Sequence, residues 1–260
     1  MFELLTEVLS NKRLTHDTWL MALRSAEIAR SARPGQFVMI RVSPGLDPLL
    51  RRPFSITGVQ EDCFLVLYRV VGKGTTLMTE LVQGEKVRVL GPLGKGFALP
   101  EESSSPLLVG GGIGMAPLVF LAQFQMKKDL MFLSGFRSSM DILSPQAITG
   151  KETGLLVATD DGTQGHHGPV TGLLEKILLE SKGSVALYTC GPKPMLRKVA
   201  EMAMARGIPC QVSLEANMAC GLGACQGCAA KASAASGKTY VYVCQEGPVF
   251  DANDIDWEGF

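Results

Sequence analysis

Met218-Ala219-Cys220-Gly221-Leu222-Gly223-Ala224-Cys225-Gln226-Gly227-Cys228, with a fourth cysteine at Cys244, places four thiols at spacings x4, x2 and x15. Thiolates are soft ligands, and four converging on one point suit an iron–sulfur cluster or zinc. An x4–x2 opening with a distant fourth cysteine is the spacing of plant-type [2Fe–2S] centres. Zinc ribbons pair two C-x2-C knuckles, and only one occurs here. Gly221, Gly223 and Gly227 between the ligands permit φ > 0 and let backbone N–H groups approach sulfur. Zinc is the competing reading, and a disulfide pair or an inert loop the blander one.

Working outward, the composition sets bounds. A chain of 260 residues is long enough for two or three domains. Lysine plus arginine equals aspartate plus glutamate, 25 each, so no overall field favours nucleic acid or an anionic membrane. The start, M-F-E-L-L-T-E-V, carries acids where a signal peptide carries bases, and no apolar run reaches the ~18 residues of a membrane span. A soluble, cytoplasmic protein is expected. Seven cysteines are an odd number, which argues against a disulfide framework. Cys63 and Cys210 read as small buried side chains.

Residues 1–101 read as an antiparallel β-barrel. The runs T-W-L-M-A-L, Q-F-V-M-I-R-V, C-F-L-V-L-Y-R-V-V and K-V-R-V-L are β-branched or aromatic. Pro34-Gly35, Pro44-Gly45, Gly84 and Gly91-Pro92 punctuate them. Glu101 to Pro106 reads as a polar linker. From residue 102 to 210 strands alternate with helices: strand candidates at 107–109, 130–135, 155–159 and 185–189, helical patterns after Gly114, at 170–181 and at 194–206. In the last helix Leu196, Val199, Ala200 and Ala203 share one face, Pro194 starts it and Gly207 ends it. This alternation implies a parallel sheet covered on both faces. Residues 211–260 carry the cysteines, with Lys231 to Lys238 as an exposed hairpin tip.

Two stretches could handle phosphate. Arg52-Pro53-Phe54-Ser55, Leu67-Tyr68-Arg69 and Gly74-Thr75 combine arginine forks, a ring able to stack and a turn hydroxyl, although R-P-F-S also reads as a turn and Arg69 as a solvated strand residue. The run Gly110 to Gly114 opens a helix directly after an apolar strand, where bare N–H groups attract phosphate. It is not a G-x-G-x-x-G, so a tight turn remains the alternative.

The order R-P-x-S barrel, glycine-run nucleotide segment, then Cys190-Gly191-Pro192 resembles the ferredoxin–NADP reductase superfamily over nearly the whole chain. M-A-C-G-L-G-A-C-Q-G-C, ending in V-C-Q-E-G-P-V-F-D-A, is similar to the electron-transfer subunits of B-type dihydroorotate dehydrogenases. The resemblance implies a multi-domain fold: an antiparallel β-barrel FAD domain, an α/β parallel-sheet nucleotide domain and a small C-terminal [2Fe–2S] domain. It implies that Arg52, Pro53, Phe54 and Ser55 cradle FAD, with Leu67, Tyr68 and Arg69 on a second strand and Gly74-Thr75 at a phosphate turn. It assigns Gly111, Gly112, Gly114 and Asp160 to the pyridine nucleotide, Cys190 to the catalytic vicinity of the nicotinamide, and Cys220, Cys225, Cys228 and Cys244 to the cluster. The x15 gap is shorter than in free plant-type ferredoxins, and Arg137 stands where NADP-using relatives hold a 2′-phosphate, so NAD and NADP both stay open.

The implied partner is an FMN-containing catalytic subunit in a heterotetramer with two of each chain. Electrons from dihydroorotate would cross the cluster to FAD and leave as hydride on NAD⁺. No general acid–base pair is then needed here. His16, His166 and His167 read as surface or loop residues, and the acidic stretch from Gln245 as a solvated or subunit-facing tail. Another reductase of the same superfamily, and a non-redox zinc or nucleotide-binding regulator, are the alternatives.

Overall fold

The computed structural model describes residues 1–99, 104–124, 130–150, 154–181 and 183–259. The β-branched runs of the first hundred residues form six antiparallel strands: β1 Phe2–Arg13, β2 Thr18–Arg24, β3 Phe37–Arg41, β4 Arg52–Gln60, β5 Cys63–Arg69 and β6 Lys86–Leu93. They close into a barrel in the order β1-β2-β5-β4-β3-β6, and closure leaves no unpaired edge. Helix α1 Ala26–Ser31 is capped by Ser25, whose Oγ accepts from the Ile28 N–H at 3.2 Å. Helix α2 Lys73–Thr79 follows β5. Two sequence expectations change here. Gly91-Pro92 does not break a strand, because β6 runs through it to Leu93. Arg52-Pro53-Phe54-Ser55 is not a turn but the opening of β4, with Pro53 opposite Met39; a strand's first residues are where proline is tolerated.

Barrel strands that looked continuously apolar are buried on both faces. On β5, Phe64, Val66 and Tyr68 fill the barrel, while Leu67 packs outward into the core of the second unit. On β3, Val38 and Ile40 point inward, while Phe37 and Met39 join a core that also holds Cys228, Val243 and Cys244. Period-two alternation survives as a choice between two cores rather than between core and water.

The second unit runs β7 Ser105–Gly111, α3 Met115–Phe124, β8 Met131–Phe136, α4 Pro145–Thr149, β9 Leu155–Thr159, β10 His166–His167, α5 Val170–Glu180, β11 Val185–Cys190, α6 Lys193–Met204 and β12 Cys210–Ser213. After an excursion containing the hairpin β13 Ala229–Lys231 and β14 Tyr240–Tyr242, the chain returns as β15 Val249–Asp251. The sheet order is β10-β9-β8-β7-β11-β12-β15. All these pairings are parallel except β15, which lies antiparallel to β12. The direction of winding reverses between β7 and β11, which opens a crevice at their carboxyl ends. Helix α3 is buried from Met115 to Leu121 because it is wedged between β4 and β7. Helix α6 buries Leu196, Val199, Ala200 and Ala203, the face expected, together with Met202.

The linker expected at Glu101 to Pro106 falls partly outside the described residues. Its described end is not a linker: Ser105 and Pro106 are the first residues of β7, opposite Val185 and Ala186. Strand β12 spans residues 210 and 211, and β15 extends the same sheet beyond it. The acidic stretch after Gln245 is no solvated tail, since Val249, Phe250, Ile255 and Trp257 are buried. Its acids meet bases elsewhere: Glu246 pairs with Lys238, Asp256 with Lys231 at 2.8 Å, and Glu258 with Arg197 at 3.1 Å. The hairpin between β13 and β14 does carry an exposed tip at Ala234, Ala235, Gly237 and Lys238. Among the described residues no helix is long and apolar enough to cross a membrane.

Candidate functional site

The carboxyl end of the parallel sheet faces the barrel, and two joined cavities lie between them. The smaller, of about 430 Å³, is walled by Arg52, Pro53, Phe54, Ser55, Leu67, Tyr68, Arg69 and Thr75 from the barrel side. Gly114, Ala116, Pro117 and Cys190 close it from the sheet side, and Ser213 to Ala216 with Met218 from the strand leading to the cysteines. The larger cleft, of about 660 Å³, is lined by Gly111, Gly112, Arg137, Asp160 and Pro192 at or just after the strand ends and by Lys198 of α6, with His16 and Asp17 across from them. Arg69, Ile113 and Glu215 line both.

The smaller cavity suits a flat, partly apolar ligand carrying phosphates. Phe54 and Tyr68 meet edge to face with centroids 6.1 Å apart. The Tyr68 hydroxyl donates to Asn11 Oδ1 at 3.0 Å, and burial pushes its pKa up to about 12, so the ring is fixed and neutral. Arg52 Nη1 donates to the Leu50 carbonyl at 2.7 Å, anchoring the guanidinium at the wall. Gly74 stands behind it: a β-carbon there would lie 3.1 Å from Arg52 Nε. The Thr75 hydroxyl, expected to meet phosphate, is committed within its own turn. It donates to the Gly72 carbonyl at 2.9 Å and accepts from the Val71 N–H at 2.9 Å. Arg69 Nε lies 3.3 Å from Asp17 Oδ2 without the alignment of a hydrogen bond. The Asp17 carboxyl feels desolvation, but Thr18 and Arg69 outweigh it and hold the pKa low.

The glycine run works by close approach as much as by exposing N–H groups. A β-carbon on Gly114 would lie 2.5 Å from the Cys190 carbonyl oxygen, and one on Gly111 2.7 Å from Met195 Sδ. These two glycines let the β7 and β11 strand ends meet, while Gly112 faces Arg69 Nη2. Cys190 is 3 % exposed and lines the smaller cavity, not the larger cleft. Burial raises its thiol, the Glu215 carboxylate raises it further and Ser213 opposes, so it stays protonated. Glu215 carried no signal of its own in the sequence beyond its place five residues before Cys220. Solvent reaches it through the cavities, yet crowding protein pushes its carboxyl up and Arg69 pulls it back. His16 is a surface residue with a second contact: its Nδ1 lies 3.6 Å from Asp141 across the cleft mouth. His166 and His167 lie on the edge strand β10, the first half-buried and the second exposed.

The four cysteines pair two and two. Cys228 Sγ and Cys244 Sγ are 3.2 Å apart. Cys220 Sγ accepts from the N–H of Leu222 at 3.3 Å and of Cys225 at 3.4 Å, and Cys225's thiol bonds it as well. Cys244 Sγ accepts from the Gly223 N–H at 3.1 Å. Bonds from Leu222 and Cys225 bring the Cys220 thiol down to about 6, while burial raises Cys244 to about 12. All four are free thiols here. The two thiol pairs, with backbone N–H donors beside them, offer the soft donors that an iron–sulfur cluster takes, although among the described residues no three ligating side chains converge on one point. Among the intervening residues Gly221 and Gly223 have φ of +73° and +80°, as expected; the third left-handed residue is Gln226 at 58°, not Gly227.

Residues 215–256 match the family model of the iron–sulfur cluster binding domain of dihydroorotate dehydrogenase B. The chain is 38 % identical over 256 residues to the electron transfer subunit of dihydroorotate dehydrogenase B (NAD(+)) of Desulforamulus reducens, covering 97 % of each. It is 40 % identical to the corresponding subunit of Bacillus caldolyticus, covering 95 % of this chain and 96 % of that one. Among solved structures, it overlays on one described as an NADH-dependent reduced ferredoxin–NADP oxidoreductase engaged in flavin-based electron bifurcation. That match has a TM-score of 0.85 at 28 % identity and covers 98 % of this chain and 91 % of the other. With the barrel, the switch-point crevice and the four-thiol loop in one chain, it belongs to the family of electron transfer subunits of dihydroorotate dehydrogenase B.

Proposed function

We propose that the chain binds FAD in the smaller cavity, NAD(H) in the larger cleft and [2Fe–2S] on Cys220, Cys225, Cys228 and Cys244. In this role it carries electrons from an FMN-containing catalytic subunit that oxidises dihydroorotate to NAD⁺, a step of cytoplasmic pyrimidine synthesis. We assign residues 1–101, 102–210 and 211–260 in the main to flavin, nucleotide and cluster, with β12 and β15 of the last stretch completing the nucleotide sheet, in a complex of two chains of each kind. One observation carries the reading: the cleft, the cavity and the cysteine loop follow one another in series. The cleft and the cavity share Arg69, Ile113 and Glu215, and Met218, two residues before Cys220, lines the cavity. A bound flavin exchanges hydride with nicotinamide and single electrons with a cluster, so its place is in the middle.

The chain's own residues bind and orient. Arg52 offers a fixed fork of donors at the cavity wall. Phe54 and Tyr68 exclude water from one side and Pro117 from the other. Ser55 brings a hydroxyl to the cavity from β4, opposite Phe37. Cys190, neutral and buried, packs in the wall of the smaller cavity rather than beside the nucleotide cleft, without acting as a nucleophile. In the cleft, Lys198 and Arg137 offer positive charge to phosphates, while Asp160 and Asp141 disfavour an additional one. NAD is accordingly preferred over NADP.

The test is reconstitution. Chain purified anaerobically, mixed with the FMN-containing subunit, is expected to reduce NAD⁺ with dihydroorotate as donor, and NADP⁺ more slowly. No dihydroorotate-dependent reduction, alongside exchange between ferredoxin and NADPH, would assign it to another reductase of the superfamily. A colourless chain with stoichiometric zinc would reject the redox reading altogether.

A further inference from the structure

The outward face of β3 touches two of these sites. Phe37 lines the smaller cavity. Met39, the next residue on that face, is fully buried in the core that contains Cys228 and Cys244. Its register partner, Pro53, lines the cavity as well. Gly221, directly after the first cluster cysteine, rests on Met39. A β-carbon at 221 would lie 2.7 Å from Met39 Cγ, 3.1 Å from Met39 Sδ and 3.4 Å from Leu93 Cδ1. Its φ of +73° is in the region that favours glycine. The loop carrying Cys220 therefore sits directly against the barrel, and a side chain at 221 forces either the loop or the buried Met39 to shift.

We propose that Met39 and Gly221 are positioning residues that fix the separation between the flavin and the cluster, with the outward face of β3 as the spacer. The inference rests on the function proposed above. Electron tunnelling falls off exponentially with separation, so a small outward shift of the loop slows the single-electron step. Nothing is bonded or protonated at either residue: one electron leaves one group and arrives at the other. A purely structural role at this contact alters iron retention or stability. A spacing role also alters how fast the cluster follows the flavin.

Rapid mixing of the anaerobic, fully loaded chain with NADH, watching flavin and cluster bands separately, reads that delay. In Gly221→Ala the cluster is expected to lag the flavin several-fold more than in the parent. Adding Met39→Ala, which opens room for the new methyl, is expected to shorten the lag again. Gly237→Ala controls for left-handed strain alone, because Gly237 has φ +68° and no atom within 4 Å of where its β-carbon would lie; it should keep the parental lag. The magnetic coupling between the one-electron-reduced flavin and the reduced cluster reports distance without turnover, and it should weaken in Gly221→Ala. If Gly221→Ala emerges without iron, Met39→Phe makes the same test from the barrel side. Parental lag and coupling in an iron-replete Gly221→Ala or Met39→Phe would overturn the proposal, as would a Gly221→Ala lag that Met39→Ala leaves in place. A parent chain lacking flavin or iron would instead overturn the function on which it rests.

Discussion

Cys225 is the exposed member of the proposed ligand set, whereas Cys228 and Cys244 are buried. Its replacement disturbs packing least and chemistry most, since a hydroxyl is a poor substitute for a thiolate toward iron. Cys225→Ser is expected to lose its iron and acid-labile sulfide while keeping flavin absorbance. Cys63→Ser, in the barrel and away from the loop, keeps both; iron analysis beside a visible spectrum distinguishes them. Tyr68 and Tyr188 are each 1 % exposed, and burial raises both from 10 to about 12. A folded-state pKa above the unfolded value means that stability is complete below pH 10 and is lost as pH climbs toward 12, where the unfolded chain has already released those protons. Urea unfolding midpoints should fall across that window, and the Tyr68→Phe, Tyr188→Phe double variant should flatten the fall.

Helix α3 is apolar all round because it has no solvent face over most of its length: Met115 to Leu121 are buried between the barrel and β7. Leu118, with no exposed surface, cannot be truncated without leaving a void. Leu118→Ala is expected to cost about 2–5 kcal/mol, measured as a lower denaturation midpoint with the flavin released in the same transition. The elements were legible where local pattern and tertiary role agree. The Leu196, Val199, Ala200 and Ala203 face of α6 and the four-cysteine spacing are of this kind. They were illegible where a partner element decides. Thr75 looks like a phosphate hydroxyl until the turn claims it. Glu215 is an ordinary acid until Arg69 and two cavities surround it. The acidic stretch after Gln245 looks solvated until Val249 and Phe250 are seen pairing with β12. For Glu215 and the acidic stretch no window of sequence contains both sides of the contact, whereas Thr75 is claimed by residues only three and four positions away.

Across the whole molecule, barrel, sheet and cysteine loop share a core rather than merely touching: Phe37 and Met39 of β3 lie in the same apolar cluster as Cys228, Cys244 and Leu187 of β11. Metal binding in such a loop contributes folding energy. Iron removal is therefore expected to strip hydrogen-exchange protection from residues 218–228 and 243–246 while β1, β2 and β5 stay protected, as peptide-level exchange would reveal. The loop also has an unusual address. It departs from the sheet after β12 and returns as β15, the antiparallel neighbour of β12. Topologically the metal-carrying segment is a long insertion inside a hairpin, not an appendix. A protein engineer could not clip it off as a cassette, because cutting there also discards the strand that seals the border of the nucleotide-handling sheet. Evolution, by the same logic, can retune or replace what lies between those two strands while both anchor points stay where they are.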